Sequence, residues 1–451
     1  MVSIQSAQMR AISVAAAVLA GAALVGAHGD DMHMTGVLPE DAPLYQWPDE
    51  PMGWALKVHL ALCLVAYIIL LPVGTWLVME TAGNRYQALV QLSGAVTGLL
   101  GIVFGWVHGH IHNAYARFGW FMVCMLAIQT ATNLGLTLGA LRRTGKAQKF
   151  YRIVGLMQLF FTYVAMLLGG IRYMNLCSQG HLGQCISHFA RGSALIIAAM
   201  ALMVLMRLFG AVILELRRPI ELYTSVLMIA VGLLGTFTEH NFFQTSKDDA
   251  WSHKDLQHTL IGVSWLSGGL LGTLMTARSH PRARSAIPSL IFMATGTAMI
   301  IHQQDLQMAT HVHMLFGAAL ISLGLSTICE ITLLSSGFVK DRDAPALFQF
   351  VPVFFMCASG MFLMGSNRDM VLLLINSGID VATYALVLLS LCFGVLFYFY
   401  VLVDLYVAMK GAQQVKYQSV DWDEECRSPV SPTSTLNHST SQDDLTPADF
   451  V

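Results

Sequence analysis

The sequence predicts an all-α polytopic membrane protein of about eleven transmembrane helices, laid out as two parallel five-helix halves joined by a connecting helix. Two observations predict it. The 451 residues are 55% apolar and only 12% charged, a composition that soluble domains do not reach. The apolar residues also fall into runs of about 20, the length needed to cross a bilayer as a helix. Helix is the only form open to such runs, because each must satisfy its own backbone hydrogen bonds in lipid. The bilayer is therefore the partner the composition implies. The net charge of −2 leaves no basic face for nucleic acid.

Residues 1–27 read as a signal peptide. Arg10 supplies the positive start, Ala11 to Val25 a short apolar core, and Val25-Gly26-Ala27 a small-residue cleavage site. An uncleaved anchor helix is the alternative. A polar leader follows over 28–53. The predicted spans are 54–79, 88–108, 118–141, 152–171, 189–214, 222–237, 257–277, 286–302, 312–335, 347–365 and 380–409. They group as an N-terminal membrane domain (54–214), a connecting helix and loop (215–256), and a C-terminal membrane domain (257–409). Residues 410–451 lose the apolar period and turn to Ser, Thr, Pro and Asp, as a disordered tail does.

Loop charge sets the orientation. With Arg152, the loops 80–87, 142–151, 215–221, 278–285 and 336–346 carry thirteen Lys or Arg, against five in the opposite loops. The positive-inside bias makes the richer set cytosolic. A cleaved signal peptide predicts the same arrangement: N-terminus luminal or extracellular, C-terminus cytosolic. The expected location is a membrane of the secretory pathway: endoplasmic reticulum, Golgi, vacuole or plasma membrane. Cys177 and Cys185 then share a loop in an oxidising compartment and are expected to form a disulfide. The other intramembrane cysteines read as packed thiols.

On that topology fourteen of the sixteen histidines lie toward the luminal side. A lone histidine at a membrane edge is ordinarily an interfacial hydrogen-bonder. Fourteen gathered on one side suggest a layer of metal ligands, haem ligands or proton acceptors. Two sets stand out. His59 opens the first span, and His108, His110 and His112 close the second, with His108 and His112 one turn apart if the helix continues. In the second half Glu239 and His240 close the sixth span, and His253, Asp255 and His258 lead into the seventh. His302 closes the eighth, with Asp305 a turn away, and His311 and His313 open the ninth. Adjacent antiparallel helices would bring these ends together as a transition-metal site for zinc, copper or iron. Glu239, Asp255 and Glu330 are the candidate catalytic carboxylates. Polar groups inside the spans are few: Gln129, Asn133, Gln158 and Glu330. The intramembrane carboxylate Glu330 is the most costly of them.

Several motifs resemble one family. Thr238-Glu239-His240, the run Trp251-Ser252-His253-Lys254-Asp255-Leu256-Gln257-His258, Thr295-Gly296 leading to His302-Gln303, and His313 with Phe316-Gly317 and Glu330 resemble the signature of the fungal Ytp-type membrane proteins. The earlier Leu71-Pro72-x-Gly74, Gly105, His108-Gly109-His110 and Phe118-Gly119-Trp120 resemble the domain that precedes that signature. The resemblance covers nearly all of 54–409. It implies a polytopic protein without an established activity, and a distant likeness of the first half to cytochrome b membrane reductases. Carried over, it points to Glu239, His240, His253, Asp255, His258, His302, His313 and Glu330.

Three functions compete. A membrane metalloprotein with redox or hydrolytic chemistry is favoured by the mixture of imidazole and carboxylate. A single b-type haem, held by His59 and His108, is the second. A transporter, or a scaffold without chemistry, is the third, and few midplane polar groups speak for transport.

Overall fold

The computed structural model describes residues 53–75, 85–109, 114–139, 141, 145–177, 182–215, 219–238, 253–279, 284–302, 304, 306–335 and 347–425. The expected signal peptide, the expected leader up to residue 52 and residues 426–451 of the expected tail lie outside these residues. Helix α1 spans Trp54–Thr75, and its middle, Val65–Leu70, is wound as π-helix. Then follow α2 (Arg85–His108), α3 (Ala114–Thr137), α4 (Gly145–Tyr173), α5 (Leu182–Glu215), α6 (Ile220–Thr238) and α7 (His253–Arg278). The chain continues through α8 (Ile287–Ile301), α9 (Gln307–Ser335), α10 (Phe350–Gly365), α11 (Arg368–Asn376) and α12 (Val381–Glu425). Residues up to Val407 form one compact unit, and Ala408 onward another.

Among the described residues, nine helices are long and apolar enough to cross a membrane, or ten if α10 and α11 form one broken span bent by 74°. The expected span 286–302 appears as α8, which has 15 residues. At about 1.5 Å per residue it covers only about 22 Å of a hydrocarbon core about 30 Å thick. A count of eleven rests on including it. Helix α11 is an addition to the expected plan. Asn367 caps it by accepting from the Asp369 N–H at 2.9 Å, which satisfies an orphan donor of the first turn.

Packing divides the bundle after α4, so the expected five-helix halves find no support. Ala66, Tyr67, Leu71, Ala95, Met122 and Leu126 make a small core between α1, α2 and α3. The larger core joins α5 through Met200, Met203 and Met206 to Val312, Leu320 and Leu323 of α9 and to Val353 and Phe362 of α10. Small residues bring backbones together at its seams, as in membrane bundles where packing rather than hydrophobicity holds helices. A Cβ added at Gly296 of α8 would lie 2.5 Å from the Gly317 carbonyl of α9, and one at Gly360 of α10 would lie 2.6 Å from the Gly192 carbonyl of α5.

Polar ties cross between the two cores. Tyr163 of α4 donates to Ser193 of α5 at 2.7 Å, and Tyr398 of α12 donates to the Ile68 carbonyl in the π-helical stretch of α1. Arg207 of α5 pairs with Asp404 of α12 and lies over the Tyr400 ring. Asp380 caps α12, and the Thr383 hydroxyl and N–H hold its carboxyl below its ordinary pKa.

Candidate functional site

The loop between α4 and α5 fixes one end of the bundle. Cys177 and Cys185 are joined by a disulfide with Cα atoms 5.4 Å apart. Cys177 takes φ +62, and its N–H donates to Asp369 Oδ2 of α11 at 2.6 Å. Asp369, in the first turn of α11, thus ties the disulfide to the larger core.

At the same end four imidazoles from four helices form a row. His188 of α5 lies against His313 of α9, with ring centroids 5.9 Å apart. His313 lies 5.9 Å from His302, the C-cap of α8. His302 lies 5.3 Å from His258 of α7. His188, His302 and His313 are all buried. The glycine seam of α8 and α9 lies a turn or two below His302 and His313, and it sets the spacing of the helices that carry them.

Hydrogen bonds fix the tautomers. Nδ1 of His188 faces the Gln184 carbonyl at 2.8 Å, and Nδ1 of His313 faces the Ala309 carbonyl at 2.8 Å. Nδ1 of His302 faces the side-chain oxygen of Gln257. A carbonyl oxygen only accepts, so each Nδ1 carries the proton, and the neutral ring keeps its lone pair at Nε2. Metal-binding histidines are commonly oriented this way, with the non-ligating N–H held by an oxygen. Two imidazoles on one ion at about 2.1 Å have ring centroids about 5 to 6 Å apart, the spacing seen along the row. Among the described residues, however, no three His, Cys, Asp or Glu side chains converge as a ready-made metal site.

The other expected ligands are placed differently. His59 is buried, donating from Nδ1 to the Gly101 carbonyl at 2.7 Å and accepting from the Tyr115 hydroxyl at Nε2, 2.8 Å away. Both its nitrogens are spent. The seam beside it is also closed: Cβ atoms at Gly105 and Gly101 would each lie 2.9 Å from a side-chain atom, His59 Nδ1 and Cys63 Sγ respectively. A porphyrin between α1 and α2 does not fit there, so His59 and His108 gain no support as haem ligands. His108 ends α2 half-buried, and His311 on α9 is half-buried as well. His110, His112, Glu239, His240 and Asp305 lie outside the described residues, and of His253 and Asp255 only the backbone is described.

Glu330 stands near the far end of α9, away from the imidazoles. Its Oε1 lies 3.6 Å from Arg284 Nη2 and accepts from Gln349 at 3.4 Å. Gln129 donates to Thr75 at 2.8 Å, and Gln87 donates to Asn133 at 2.5 Å, so these groups link α1, α2 and α3. Sequence reasoning left His188 and Gln257 out of the ligand set. Gln257 sits beside His258 in the Trp251–His258 run, where a polar neighbour of a ligand was the available signal.

Comparison with known proteins bears on this geometry. Residues 161–407 match the family model described as Protein YTP1-like, C-terminal, and residues 41–138 match a domain of unknown function, DUF2427. The first of these covers more than half of the chain. The chain is 28% identical over 442 residues to Protein YTP1 of Saccharomyces cerevisiae, covering 93% of each. It is 24% identical over 181 residues to an uncharacterized membrane protein of Schizosaccharomyces pombe, covering 34% of each. No solved structure matches it. Nothing in these matches supports the cytochrome-like reading of the first half.

Proposed function

This chain belongs to the YTP1-like family of membrane proteins, and we propose on that premise that it binds a transition-metal ion through its buried imidazole row. His302 and His313 are the central ligands, with His258 and His188 on either side. The observation that carries the reading is the row itself: rings 5.3 to 5.9 Å apart, from four helices. At His188, His302 and His313 the Nδ1 proton is held by an oxygen. Imidazole nitrogen of this kind suits zinc, copper or iron, and a small closure of the row would place two or three Nε2 atoms on one ion.

We place the row on the luminal or extracellular side of a secretory-pathway membrane. The disulfide at the same end supports this, since disulfides persist in oxidising compartments. The basic bias of the opposite loops supports it too. Ion binding is the chemistry the row offers. A hydrolytic or redox step would need a carboxylate or substrate beside it, and Glu239 and Asp255 remain the candidates by sequence position.

The test is elemental analysis of the full-length protein purified in detergent, with an absorption spectrum. About one equivalent of zinc, copper or iron is expected, without a haem band, and His302→Ala and His313→Ala should each lose it while still inserting. Wild-type protein that stays metal-free after supply of these ions would overturn the reading. Proton transfer along the row is the second reading, favoured because the rings follow one another instead of converging on a point.

A further inference from the structure

At the end of the bundle opposite the imidazoles, a second set of buried groups has no place in the proposed function. Glu221, in the first turn of α6, is 3% exposed. Its Oε1 accepts from Arg284 Nε at 2.5 Å. The same guanidinium reaches Glu330 Oε1 of α9 through Nη2 at 3.6 Å, and Gln349 donates to that oxygen. Two carboxylates therefore share one guanidinium. Among the described side chains this leaves a formal charge of −1 in a low-dielectric setting, where an uncompensated charge is strongly disfavoured.

Three oxygens at this place stand without a hydrogen-bond partner. Glu221 Oε2 is buried and unpartnered. Ser225, one turn along α6 and fully buried, has an unpartnered Oγ, as does Thr276 of α7 at Oγ1, where the residue is 2% exposed. The register of the two helices brings them together. Ser225 Oγ points at Gly272, where a Cβ would lie only 2.5 Å away. Glu221 is one turn before Ser225 and Thr276 one turn beyond Gly272. In an antiparallel pair both steps lead toward the same end, on the same seam.

We infer that Glu221 Oε2, Ser225 Oγ and Thr276 Oγ1 form a binding site for one small monovalent cation of the sodium type. All three are hard oxygen donors, which suit alkali or alkaline-earth ions and not the borderline metals that choose imidazole. Over the described side chains the charge count selects between those classes: one positive charge neutralises the site, whereas a divalent ion would leave it positive beside Arg284. Arg284 and Glu330 do not bind the ion. The guanidinium holds Glu221 Oε1 and so turns Oε2 toward the two hydroxyls. Arg278, exposed at the end of α7, is too solvated to supply the compensating charge.

The test uses the full chain in nanodiscs. Binding of ²²Na⁺ is measured, with thermal unfolding followed as NaCl replaces choline chloride at constant ionic strength. Wild type should bind about one sodium saturably and unfold at higher temperature in sodium. Glu221→Gln keeps the shape and the Arg284 contact, and Ser225→Ala leaves that ion pair untouched. Each should weaken sodium binding at least tenfold, whereas Thr276→Ser, which keeps the hydroxyl, should bind like wild type. Wild type without saturable binding overturns the inference, as do Glu221→Gln and Ser225→Ala proteins that bind normally. If wild type ignores sodium but takes up one proton between pH 8 and pH 5, and Glu221→Gln does not, the compensating charge is a proton and the cation site is refuted. Transition-metal content is read on the same samples, so failure here and failure of the imidazole site are separate results.

Discussion

Gly296→Ala probes the contact that sets the imidazole spacing. The new methyl would lie 2.5 Å from the Gly317 carbonyl oxygen, 2.8 Å from Ile321 Cγ1 and 3.1 Å from Ile321 N. An ordinary carbon–oxygen contact is about 3.3 Å or more, so α8 and α9 must part by about 0.8 Å. The obstructing carbonyl belongs to the backbone and has no rotamer to yield. Overpacking of this kind costs about 2–3 kcal/mol. Alanine regains about 0.5–1 kcal/mol of helix propensity over glycine, which leaves a net loss of roughly 1–2.5 kcal/mol. Gly119→Ala on α3 is the control, because nothing lies within 4 Å of the added methyl. It should retain only the propensity gain of about 0.5–1 kcal/mol. Unfolding by SDS titration in mixed micelles should therefore separate the two variants, one to each side of wild type. The Gly296→Ala protein should also bind the proposed metal ion more weakly, since His302 and His313 sit on the parted helices. A Gly296→Ala midpoint equal to that of Gly119→Ala would refute the close-contact argument.

Two further outcomes are expected. Cys177 and Cys185 close a loop with a sequence separation of 8, for which chain entropy predicts about 2.5 kcal/mol of stabilisation; the Cys177→Ser, Cys185→Ser double variant should lose that amount, and either thiol reacting with maleimide before reduction would reject the bond. His59→Ala should leave metal content unchanged while destabilising the α1–α3 end by about 1–3 kcal/mol, because the Gly101 carbonyl and Tyr115 hydroxyl lose their partner. Loss of metal in that variant would place a ligand where the structure places a hydrogen-bond hub.

Helices were legible in the sequence because each apolar run has to satisfy its own backbone in lipid. What the runs do not carry is which helix faces which. Helix α5 reads as the last member of a first half, yet Met200, Met203 and Met206 on one of its faces join the larger core. A stripe of methionine does not name its partner. Helix α11 was missed for its length: nine residues cannot span a membrane, although Asn367-x-Asp369 before an apolar run is a readable cap. Among the imidazoles, His258, His302 and His313 were legible as an end-of-helix set. His188 was not assigned to it, since only the packing of α5 into the larger core brings it to His313. His59 shows the converse. Its sequence position is as suggestive as that of His258, and only the Tyr115 hydroxyl distinguishes a packed histidine from a ligand. The pair Glu221 and Arg284 stayed hidden because each alone reads as an ordinary charge flanking a span.

Helix α7 connects the two proposed sites, with His258 toward one end and Thr276 toward the other, and α9 runs beside it from His313 to Glu330, the carboxylate that shares Arg284 with Glu221. From His313 to Glu330 the rise along α9 is about 26 Å, most of the thickness of a bilayer. The donors differ in kind as well as in place. One end offers neutral, borderline nitrogen; the other offers hard oxygen with one uncompensated negative charge. Zinc or copper gains little from the two hydroxyls and single carboxylate oxygen at Glu221, and sodium gains little from imidazole. At the two proposed sites, selectivity would follow from the donor atoms. Bound transition metal reports on the imidazole end alone, and sodium dependence reports on the carboxylate end alone. A variant that abolishes both without unfolding the chain must act through α7, which carries a proposed ligand of each, His258 toward one end and Thr276 toward the other.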